Sequence, residues 1–174
     1  MESTALLIIL RLIHVVAGAC WVGAVVVVAR KVFPSVLAAG PAGGAVMGQL
    51  AGVRKLPLFL IHLMSATILS GILLYVRNGM VSNGEWYRSM PARIYGMGAV
   101  FAIITAILGV TINSPTAKKI GALAGTIAAS GGPPSAEQVT EMSRLNDKLQ
   151  KALNVGALLL ILAAACMSVA RYMP

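Results

Sequence analysis

The stretch from Ala5 to Arg30, ALLIILRLIHVVAGACWVGAVVVVAR, constrains this chain most. It is an almost unbroken apolar run, and about 20 such residues cross the hydrocarbon of a bilayer as a helix. Lipid offers the backbone no hydrogen bonds, so a spanning segment must be a helix or part of a closed barrel. No strand-like alternation occurs along the chain, which leaves the helix. Two groups interrupt the run, Arg11 and His14. A charge at mid-membrane costs about 3 kcal/mol, so one that persists faces a bundle interior, a cavity or a ligand. Arg11, His14, Gly18, Trp21 and Val25 recur at steps of three or four and share one helical face. The opposite face is mostly Ile, Leu and Val, which suits lipid.

Three further apolar stretches follow. The first span covers about 5–29, and the others cover about 57–76, 94–112 and 152–170. Only 11% of the 174 residues are charged, against about 25% in soluble domains. The pattern predicts one all-α integral membrane domain over 1–174. Its four spans form an antiparallel four-helix bundle. The net charge of +9 does not point to nucleic acid, because the basic residues flank the spans. The start, Met-Glu-Ser-Thr, has no basic region, and the run after it is too long for a cleavable signal.

Charge sets the expected orientation. Arg30, Lys31, Arg54, Lys55, Lys118, Lys119, Arg144, Lys148 and Lys151 fall on one side of such a bundle. Arg77, Arg88, Arg93 and Arg171 fall on the other. Basic loops stay in the cytoplasm. Both termini are therefore expected outside a bacterial-type inner membrane, with the larger loops inside. In the first loop Pro41 suits the start of a short interfacial helix, against which its glycines count. Asn83-Gly84 is a turn signal in the second loop, where Trp86 and Tyr87 read as interfacial anchors. In the third loop Gly131-Gly132-Pro133-Pro134 breaks the chain, and Ser135 with Gln138 reads as a capping box. Val139, Met142, Leu145 and Leu149 then follow at helical spacing. With no breaker beyond Lys151, this cytoplasmic helical extension runs into the fourth span.

The chain has two histidines, His14 and His62, both within spans. Neutral imidazole is a common ligand of haem iron, copper and zinc. Helix bundles hold such groups between facing helices. One haem b held by His14 and His62 is one candidate, with Arg11 pairing a propionate, Gly18 leaving room for the ring edge and Trp21 packing beside it. In antiparallel spans the two imidazoles differ in depth by about 10 Å, which strains a shared haem. Copper accounts for the imidazoles but not for Arg11, since a cation repels a guanidinium. Structural histidines that only bond neighbouring helices are a third reading. Thr67 and Ser70 are expected to bond back to their own helix. Cys20 and Cys166 form no disulfide framework or zinc motif.

His14, Trp21, Gly23 and Arg30, at spacings of seven, two and seven, resemble the first-helix motif of the CopD-like superfamily. The end, Met167-Ser168-Val169-Ala170-Arg171-Tyr172, looks like that of small uncharacterised bacterial relatives. That superfamily includes the membrane domain of copper-resistance protein D and the membrane-type, haem-b-containing protoporphyrinogen oxidases. The resemblance implies haem binding at His14. The oxidases also use a lysine on a later helix, and no span here carries one. The functions in view are thus a haem-b electron-transfer or oxidoreductase protein serving a quinone or membrane redox partner, a copper-handling transporter, and a non-catalytic subunit. A homo-oligomer is compatible with each.

Overall fold

A computed structural model describes residues 4–173. Those residues form helices and turns, with no strand among them. Four helical segments are long and apolar enough to cross a membrane. The first is α1 (Thr4–Val27), which passes through a π-helical segment, Val28–Val32, into α2 (Phe33–Ala38). After α3 (Pro41–Gly48) comes the second long helix, α4 (Leu56–Val81). The third, α5 (Met90–Leu108), runs through another π segment, Gly109–Asn113, into α6 (Ser114–Ser130). The fourth, α7 (Ala136–Val169), is one unbroken helix of 34 residues. At 1.5 Å per residue it is about 50 Å long, well beyond the ~30 Å of hydrocarbon.

α1 packs along α4, α5 packs along α7, and α1 also touches α7, whereas α4 meets α5 only lightly. The buried residues of the first segment, Ala17, Trp21, Val25, Ala29 and Phe33, step by four. Trp21, Val25 and Ala29 meet Ala157 and Leu160 of α7, with Leu60, Leu63 and Met64 of α4 and Ala102 and Ala106 of α5 packed around them. Small residues bring the backbones close, as is usual where lipid supplies no hydrophobic drive. A Cβ on Gly98 would stand 3.0 Å from Cys166 Cβ, and one on Gly156 would stand 3.3 Å from the Thr105 methyl.

Three π segments occur among the described residues, Val28–Val32, Gln49–Val53 and Gly109–Asn113, and the first and last are each followed, after one residue, by a proline. Phe33 N–H bonds to Val28 O, a step of five rather than four. The next donor along that ladder would be residue 34, but proline has none. Ala29 O is thereby left without a backbone donor, at a residue with no exposure. Gln150 of α7 meets it: Gln150 Nε2 donates to Ala29 O at 2.9 Å, and reaches Asn154 Oδ1 at 3.2 Å. The π segment Gly109–Asn113 ends the same way, with Ser114 N–H bonded to Gly109 O and Pro115 next in line. The expected span ends near 29 and 112 thus fall at these segments, and the helices continue beyond them. α6 occupies what the sequence suggests is loop.

The turns follow the expected residues. Asn83 and Gly84 both take positive φ, 50° and 88°, and cap α4 through Asn83 N–H to Met80 O and Gly84 N–H to Gly79 O. Tyr75, Trp86, Tyr87 and Tyr95 cluster at that end, and Tyr87 lies where a Cβ on Gly79 would be. α6 stops at Gly131, φ 65°. The capping box of α7 is present in both directions, Gln138 N–H to Ser135 Oγ and Ser135 N–H to Gln138 Oε1.

Candidate functional site at His14

His14 is half-buried between α1 and α4. Its Nδ1 lies 2.9 Å from the Thr67 carbonyl oxygen. A carbonyl only accepts, so Nδ1 carries the proton and donates. Ser70 Oγ stands 3.4 Å from the same nitrogen, but its hydroxyl donates to the carbonyls of Ala66 and Thr67. In a neutral ring the lone pair therefore sits on Nε2, which makes no hydrogen bond among the described residues. An N–H held by a backbone carbonyl is the usual support for a ligating imidazole, since it sets tautomer and ring orientation.

The ring is seated on a glycine. A Cβ on Gly71 would come within 2.7 Å of His14 Cε1 and 3.0 Å of Nδ1. One turn further along α1, the space beside Gly18 is filled by Thr67, whose methyl is 3.4 Å from a Cβ placed there. Thr67 Oγ1 bonds back to Leu63 O and Ser70 Oγ to Ala66 O, as expected for hydroxyls inside apolar helices.

Among the residues that the sequence points to, the structure joins His14 and Gly18 to α4. Trp21 lies two turns along in the core, 4% exposed. Arg11 is exposed and has no carboxylate partner among the described residues. His62 is exposed on α4, five residues before Thr67, hence about 7 Å along the axis and on a different face. The two histidines are not brought together. Cys20 is exposed and Cys166 buried. No three His, Cys, Asp or Glu side chains converge among the described residues. Sequence reasoning misses Gly71 and Gln150. The available signals were a Ser-Gly pair in the second span and the Gln150/Asn154 amide pair, one turn apart, where the fourth span begins.

The chain matches no protein-family model, no curated protein and no solved structure. Among the described residues the fold is helical throughout, with four helices able to cross a membrane. A half-buried imidazole between the first two of them has one nitrogen tied to the backbone.

Proposed function

We propose that the four long helices cross a bacterial-type inner membrane as an antiparallel bundle. The termini lie outside, and the basic loops and the first half of α7 are cytoplasmic. In it, His14 holds haem b through Nε2, for electron transfer or oxidoreduction with a membrane partner such as a quinone. The observation that carries this is the Nδ1–H bond to Thr67 O, which leaves Nε2 poised as a metal ligand. Haem, when bound, supplies one-electron redox chemistry. The chain's own contributions are an imidazole of set tautomer and, one turn outward, the Arg11 cation for a propionate. Haem needs only one protein ligand, whereas a copper site draws on several converging ones, so haem fits this donor set better.

A second reading has a specific observation behind it. The close seat of the ring on Gly71 also suits a histidine that serves only to pin α1 to α4. An optical spectrum with metal analysis separates the readings. Protein produced with ample haem should show a Soret band, lost in His14→Ala with helicity kept. Arg11→Ala should weaken haem retention, and His62→Ala should leave the spectrum as it is. Colourless protein with stoichiometric copper would favour copper handling, and colourless metal-free protein the structural role.

A further inference from the structure

We infer that the α2–α3 hairpin binds an anionic phospholipid. Between Lys31 and Arg54 the chain carries no charged residue at all, yet Leu37, Val46 and Val53 there are exposed. Exposed apolar residues gathered directly beyond a helix able to cross a membrane mark a membrane-interaction surface. The hairpin closes through Gly43, whose missing Cβ would overlap Val36 O, so the two helices touch backbone to backbone. Alongside this contact runs a groove of about 420 Å³. Val32 and Val36 before the turn and Val46 after it line the groove, and Lys31 and Ser35 are lining residues as well. The Lys31 ammonium has no carboxylate partner among the described residues, and the Ser35 hydroxyl makes no hydrogen bond there. An occupant must be apolar along its body and anionic at one end. The adjoining leaflet supplies that chemistry as phosphatidylglycerol-type lipid, with its phosphate on Lys31 and Ser35 and an acyl chain between the valines. The assignment is independent of what His14 binds.

The test uses the full chain in detergent, with native mass spectrometry of retained lipid after adding dioleoyl-phosphatidylglycerol or dioleoyl-phosphatidylcholine. One phosphatidylglycerol should be held preferentially. Lys31→Gln should weaken it about fivefold, the worth of one surface cation. Val36→Trp, which fills the groove without changing charge, should abolish retention, and Lys148→Gln, outside the groove, should leave it unchanged. Val46→Trp fills the groove from the other arm should the first wall variant misfold. Equal retention of both lipids overturns the assignment. So does loss in Lys31→Gln with no loss in a folded wall variant, which would mean general attraction to a basic surface. Preferential capture of a co-purifying protein segment on the hairpin, blocked by Val36→Trp and not competed by the lipid, overturns it as well.

Discussion

His14 and Gln150 illustrate what single side chains do in this molecule. Both give an N–H to a carbonyl on a neighbouring long helix, Thr67 O in one case and Ala29 O in the other. The first bond sets a tautomer, and the second satisfies an acceptor that Pro34 leaves without a backbone donor. Removing the amide in Gln150→Leu should cost about 1–3 kcal/mol, the penalty for a buried carbonyl without a donor. Unfolding in detergent, followed by helicity, measures it. Gly71→Ala should displace the His14 ring, since the new methyl would meet Cε1 at 2.7 Å. Overpacking of this kind costs about 1–3 kcal/mol. If haem is bound, the Soret maximum should also move, and an unchanged spectrum would show that the ring does not rest on this glycine.

At the scale of elements, the hydrogen-bond ladder steps beside Pro34 and Pro115, and caps set where helices begin. Pro34→Ala restores an N–H five residues after Ala29. Gln150→Leu should then cost less than about 1 kcal/mol in that background, a coupling that a double-mutant cycle detects. Additive costs would mean that Gln150 acts elsewhere. Ser135→Ala removes the acceptor of the capping box and should destabilise the start of α7 by about 1 kcal/mol, read as faster amide exchange near Gln138. In the same stretch Arg144 donates two hydrogen bonds to Glu141 and holds its carboxyl below the ordinary range. A depressed carboxyl stabilises the fold above its unfolded value and loses that contribution as pH falls through the folded one. The protection of amides around Glu141, taken relative to the intrinsic exchange rate at each pH, should therefore fall on acidification, and less so in Arg144→Gln.

For the whole molecule, contact is uneven. α1 with α4 and α5 with α7 are close pairs, joined through α1 and α7, while α4 and α5 meet lightly. The first three long helices leave most of their apolar residues exposed, and α7 is the most enclosed. The proposed antiparallel arrangement would put Gln49 and Gly84 on opposite sides of the membrane. Cysteines placed there in a cysteine-free background should label from opposite faces in oriented vesicles, and labelling from one face would defeat it.

The four long helices, the start of α7 at Ser135 and the turn at Asn83-Gly84 are legible in the sequence because each rests on local physics: apolar length, a cap's hydrogen bonds, a backbone with positive φ. The helix through Pro34 and Pro115 is not. A proline reads as a stop, and at Pro34 only the tertiary structure shows that the carbonyl it leaves bare finds a donor, 121 residues away. The site divides in the same way. Sequence singles out His14 and Arg11 by the cost of polar groups in lipid. The register of α1 on α4 places His14 on Thr67 and Gly71 and leaves His62 on another face, because which residues meet across two helices depends on packing between surfaces and not on spacing within either one.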